Sequence, residues 1–171
     1  MAPRSTPGSP PARPPIDRKL TAKDEAFAAV ELAYVEFRDL FLVLPDEAYS
    51  EIIAGEWDAD RILAHMAGWY RELAPEVARI VAGTPTPFEQ WLPEDEWNGR
   101  FAAAALHGAP ALDDFDMAFH EFYAAMKAAP DEYFGTAPDG THLPVRRLFL
   151  GLAIDHVAEH RADIEAWLSR R

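Results

Sequence analysis

From Phe27 to Leu44 the apolar residues Phe27, Val30, Tyr34, Phe37, Phe41 and Leu44 recur three and four positions apart. At 3.6 residues per turn this spacing gathers all six on one stripe of a helix, predicted from about Asp17 to Leu44 and closed by Pro45. A connector with room for one short helix follows. Asp58 then suits the N-cap of a second helix, and Asp60 in its first turn favours the helix dipole. Ile62, His65, Met66, Trp69 and Leu73 form its stripe, and Val77 and Ile80 continue it beyond Pro75, so that proline is expected to kink the helix rather than end it. Gly83, Pro85 and Pro87 terminate the pattern.

A third helical region is predicted from about Glu94 to Ala129, interrupted at His107-Gly108-Ala109-Pro110. Its second half places Leu112, Phe115, Phe119, Phe122 and Met126 on one face, and a fourth helix is predicted from about Val145 to Ser169. Without strand alternation or an internal repeat, four stripes of this length predict an all-α fold, an antiparallel or near-antiparallel four-helix bundle with long connecting loops. The three long connections are expected to gather around one end and build a site there. The loop "TPTPFEQWLPEDEW" is rich in aromatic side chains, as loops that cover a core or a pocket mouth are.

Residues 1–16 read "MAPRSTPGSPPARPPI". Proline blocks helix interiors and this composition supplies no core, so a disordered Pro-rich tail is expected, followed by a single domain over residues 17–171. The tail lacks the apolar stretch of a secretory signal, and a cytoplasmic location follows by default.

Composition narrows the chemistry. The chain has no cysteine, which excludes a disulfide framework, a thiolate metal site and a Cys nucleophile. Its net charge of −13 repels phosphate backbones and anionic membranes, so neither nucleic acid nor membrane is an expected partner; a small-molecule substrate is expected instead from the aromatic loop, not from the charge. No apolar run reaches the roughly 18 residues of a membrane span. Any metal must be held by His, Asp, Glu or water.

The histidines carry the chemistry. In "DHVAEHR", His156 and His160 lie four apart and therefore on one helical face, continuous with Leu148 and Leu152. His65 shares the inward face of the second helix with Ile62 and Trp69. Inward histidines are costly without partners. Three neutral imidazoles on a divalent metal are one solution; hydrogen bonds to carboxylates or backbone carbonyls are the commoner one.

These same residues carry a resemblance. "GEWDADRILAHMAGWYREL" resembles the second-helix signature of DinB-like proteins, and "DHVAEHRADIEAWL" resembles their last helix. The resemblance implies a four-helix bundle whose metal ligands are His65, His156 and His160, with zinc or nickel foremost among divalent metals. More narrowly, "EDEWNGRFAAAALHG" and "FDMAFHEFYAAM" are similar to the third-helix region of mycothiol-dependent, maleylpyruvate isomerase-like proteins and of ClbS/DfsB-like self-protection proteins. Asn98 and His120 fall on recurrent positions of that region. The family includes thiol transferases, isomerases and hydrolases, so a low-molecular-weight thiol is an implied cosubstrate.

Other side chains stand with two readings each. His120 is either a pocket-lining proton carrier or a boundary histidine paired with Asp116. Glu159, one turn after His156, is either a general base beside the metal or a solvated glutamate; Asp163 could orient the His160 ring. Trp91 and Trp97 are candidates for an apolar substrate pocket, with Asn98 as a hydrogen-bonding partner or a mere helix cap; Trp69 is core or substrate-binding. His107 and His142 are expected in loops, facing solvent. Three functions follow: a metal-dependent enzyme that activates a thiol or water against an apolar electrophile, a metal-free small-molecule binder or self-protection protein, and a non-catalytic homodimeric bundle.

Overall fold

The computed structural model describes residues 20–171. Helix α1 spans Ala22–Leu42, α2 Ala59–Val81, α3 Glu94–Ala103 and α4 Ala109–Ala128. Helix α5, Pro144–Leu150, passes through a π turn at Gly151–Asp155 into α6, His156–Leu168, without a break. Four long helical rods and the short α3 thus make up the bundle, and no strand forms among the described residues; there are only two isolated bridges, Ala54 with Trp57 and Thr136 with His142. The expected tail lies outside the described residues.

Local chemistry sets the helix starts. Thr21 and Asp24 form a reciprocal capping box: Asp24 N–H donates to Thr21 Oγ1 at 3.1 Å, and Thr21 N–H donates to Asp24 Oδ2 at 2.9 Å. α1 therefore begins at Ala22, later than the predicted Asp17. Asp58 caps α2 by accepting from Arg61 N–H at 2.9 Å, as its sequence position suggests. α2 runs through Pro75, which sacrifices only the donor to the Arg71 carbonyl. Gly108 opens α4 with a φ of 65°, a left-handed conformation that suits glycine.

The stripes meet in an aromatic core. Phe37, Phe115, Phe122, Phe134, Phe149 and Tyr70 are fully buried. Tyr34 stacks on Phe119 at 3.9 Å between centroids, and its hydroxyl donates to Asp116, which also holds Arg38 at 2.8 Å. Burying such rings is the main favourable term in assembling the bundle.

Cross-helix partners fix the direction of each rod. Tyr34 meets Asp116 and Lys23 reaches the carbonyl of Lys127, so α1 and α4 are antiparallel. Phe27 packs on Phe149 and Glu36 pairs with Arg161, so α1 and the α5–α6 rod are parallel. Asp60 binds Gly108 at the start of α4, and Tyr70 packs on Phe115 and Phe122, so α2 and α4 are parallel too. Two consecutive long helices that run the same way need a return crossover, and residues 82–108, including α3, supply it.

This topology corrects the expectation that all three connections gather at one end. The first connection and the break before α4 share one end, where Asp60 meets His107 and Arg171 binds Glu51. The third connection lies at the other end, where the Tyr133 hydroxyl donates to the Val81 carbonyl. The crossover instead lays α3 along the flank of α2, and the site forms on that flank.

Candidate metal centre

Gly68 lets α3 approach α2. A Cβ there would overlap the Phe101 ring, so the absent side chain makes room for Phe101. Phe101 in turn stacks with Trp97 and meets Trp69 edge-on, and these rings form one wall beside His65. Trp57, just before the N-cap of α2, covers the other side, with its ring 4.4 Å from that of His65 and 5.7 Å from that of His160.

Within this enclosure three imidazoles converge. His65 Nε2 lies 2.9 Å from His156 Nε2, which lies 3.0 Å from His160 Nε2. His65 and His160 are buried and His156 is partly exposed. The ligating atoms that the three rings offer lie within 4.8 Å of one another. Spacing on α6 brings His156 and His160 together, and the antiparallel packing of α2 against that rod adds His65.

Burial keeps these rings uncharged. It pushes His65 down to about 3, helped by the neighbouring His156 and His160, while Asn98 acts in the opposite sense. Burial, then His156, pushes His160 down to about 4. His156 is lowered by burial as well, against the opposing pull of Glu159 and Glu94. All three are therefore neutral at neutral pH, the form that offers a lone pair to a metal.

The hydrogen bonding is left incomplete. His65 Nδ1 and His160 Nδ1 are buried without a partner, so no choice of tautomers satisfies the cluster. Asp163 Oδ2 lies 3.7 Å from His160 Nδ1, too far for a hydrogen bond. Asn98 approaches His65 closely enough to influence its charge, yet Asn98 Oδ1 is also buried without a well-formed bond. A divalent cation among the three Nε2 atoms would absorb the converging lone pairs and fix each ring as its Nδ1–H tautomer. The donor set fits such an ion.

The remaining candidates divide. Trp69 and Trp91, with Leu73, Leu92 and Glu94, line a cleft of about 660 Å³ on this flank. Trp97 is partly buried in the wall behind, with its Nε1 unpartnered. Glu159 is exposed beside His156. His120 is not brought to the cluster. It lies exposed on a shallow depression lined by α4 alone, and its ring touches Tyr34 on α1. Asp116, its expected partner, is committed to Tyr34 and Arg38. His107 is exposed but bonded at 2.6 Å to buried Asp60, and so is more than a solvent-facing loop residue.

Three neighbours had no role in the sequence reading: Trp57 as a cover, Phe101 as a wall, and Glu94 as a carboxylate acting on His156. Only Trp57 had a signal, as a large aromatic residue directly before an N-cap. Glu94 and Phe101 reach the site through the crossover, which periodicity cannot fold.

The sequence matches no family model and no curated protein. Solved structures do match. The crystal structure of the mycothiol-dependent maleylpyruvate isomerase aligns with a TM-score of 0.63 at 14% identity, and that of a histidine-to-alanine mutant of the enzyme with 0.66 at 13%. The chain has the DinB-like fold. In both comparisons 85% of this chain is covered and 63% of the other, so the chain spans less than two thirds of the length of those proteins.

Proposed function

We propose that the protein is a metal-dependent enzyme of the DinB-like kind, which activates a low-molecular-weight thiol or water against a small apolar electrophile in a thiol transfer, an isomerisation or a hydrolysis. The observation that carries this reading is the convergence of three neutral imidazoles, His65, His156 and His160, of which His65 and His160 are buried, each with an unpartnered ring nitrogen. The shared fold with a mycothiol-dependent isomerase supports a thiol as cosubstrate.

In this reading His65, His156 and His160 would hold a divalent ion, zinc or nickel, and a bound ion would supply Lewis acidity that lowers the pKa of a thiol or water. Trp57 and Phe101 exclude water from the histidines. Trp69 and Trp91 bind the apolar part of the electrophile in the cleft, against the Trp97 wall and Asn98. Glu159, exposed beside His156, accepts the proton that the thiol or water releases, and Glu94 stands by from the crossover.

The test is metal content and metal-dependent stability of protein purified without an affinity tag. Stoichiometric metal, or a rise in the melting temperature with zinc or nickel, is expected for wild type. His160→Ala should abolish both, and exposed His142→Ala should leave both intact. Wild-type protein that neither contains nor responds to metal would defeat this reading and favour the metal-free binder.

A further inference from the structure

A second groove opens on the same flank. It measures about 400 Å³ and is lined by Leu73, Ile80, Leu148 and Leu152, with His156 at one end and Arg147 toward the other. It shares Leu73 with the tryptophan-lined cleft, so the two hollows adjoin at that side chain. Its size is within the range of small-ligand sites.

Its charges are unequally placed. The chain carries 29 acidic residues against 16 basic ones, so arginines readily find carboxylates. Among the described residues Arg38, Arg61, Arg71, Arg79, Arg100, Arg161 and Arg171 all do, whereas Arg146, Arg147 and Arg170 do not, and of these three only Arg147 lines the groove. Arg147 is exposed on the groove and has no carboxylate within ion-pairing distance among the described residues. Glu159 and Glu94, in contrast, act on His156 at the opposite end. The groove is therefore negative beside the histidines, apolar along its length and positive at Arg147. Arg147 and His156 are nine residues apart, roughly 13 Å along a helical rod.

We propose that this groove binds a small carboxylate with an apolar chain, its anionic head on the Arg147 guanidinium and its uncharged, reactive end beside His156. The guanidinium fork matches a carboxylate with two parallel hydrogen bonds. The carboxylates near His156 repel the same head, so the groove sets the direction of the ligand as well as its class. Leu73, Ile80, Leu148 and Leu152 hold the chain by excluding water from it. The inference rests on the small-molecule reading of this flank and needs no metal, so the two can fail separately.

Octanoate and its neutral counterpart octanamide are suitable probes, titrated calorimetrically into chelator-treated protein. Octanoate is expected to bind about tenfold more tightly than octanamide, the range of one charge-assisted contact. Arg147→Gln should erase the difference, and Arg147→Lys should restore part of it. Equal binding of the two probes by wild type, no binding of either, or a preference that survives Arg147→Gln would overturn the proposal. Zinc uptake measured on the same proteins reports on the histidines alone. If wild type takes up zinc but does not discriminate the probes, the groove assignment fails; if it discriminates but takes up no zinc, the metal-enzyme reading fails.

Discussion

Glu76 is a buried carboxylate on α2, and its oxygens are well used. It accepts from Thr86 N–H and Thr86 Oγ1–H, both at 2.7 Å, and from Arg79 at 3.1 Å. Burial alone would raise its pKa, but the bonds from Thr86 and the Arg79 guanidinium outweigh it, and the carboxyl is held below its ordinary value. A depressed carboxylate stabilises the fold at pH values above its unfolded pKa, and this contribution is lost as pH falls through the folded value. Glu76→Gln is therefore expected to cost about 1–3 kcal/mol at neutral pH and progressively less in acid. Melting curves of the two proteins from pH 7 to pH 3 check this; a gap that widens in acid would contradict it. At this scale legibility depended on whether a role was local. His156 and His160 were legible because a spacing of four puts them on one face, and His65 because it shared a stripe. Glu76 and Arg147 were not, since the one acquires its role from a loop ten residues on and the other from the absence of neighbours. His120 borders the core stripe of α4 and lies against Tyr34 on α1, which a stripe alone does not specify.

At the scale of elements, the four predicted helices were legible from stripes and breakers, including the interruption that separates α3 from α4, because each burial pattern is set within its own segment. The π turn was not. Val145, Phe149, Ala153 and Val157 are buried at successive steps of four, and each such step overshoots an α-helical turn by roughly 40°. The wider turn at Gly151–Asp155 absorbs this drift, so that Phe149 stays in the core while His156 and His160 face α2. A stripe of fours and a stripe of fours and threes both read simply as helix. The close packing of α3 on α2 was equally hidden, because it depends on Gly68 meeting a ring more than thirty residues later. Gly68→Ala should push Phe101 outward, loosen the wall at Trp69 and Trp97, and cost about 1–3 kcal/mol as an overpacking change. Phe101→Ala in the same chain should relieve the clash. If Gly68→Ala leaves both the melting temperature and tryptophan emission unchanged, α3 does not sit against α2 as described.

For the whole molecule, the direction of the rods is what locates the site. Stripe lengths are compatible with several bundle topologies, and the sequence reading favoured loops gathered at one end. Which helix runs beside which is decided by contacts far apart in the chain: Tyr34 with Asp116, Glu36 with Arg161, Asp60 with Gly108. The outcome lays α2 antiparallel to the α5–α6 rod and bridges them at His65, His156 and His160, while α4 stays outside the cluster. Metal should therefore stabilise the molecule unevenly. At roughly a hundredfold excess over its dissociation constant an ion adds about 2.7 kcal/mol to unfolding. For a domain of this size that is roughly 5–10 °C in Tm. Hydrogen exchange followed with and without zinc should show the added protection against local opening first in α2 near His65 and in α6 near His160, with the outer face of α4 changed least. The same zinc added to His65→Ala should leave the exchange pattern of that variant unaltered, since two histidines on one helix no longer tie the rods together. Protection that rises equally in all helices, or that survives His65→Ala, would mean that the ion binds elsewhere and that the bridge between α2 and α6 is not its site.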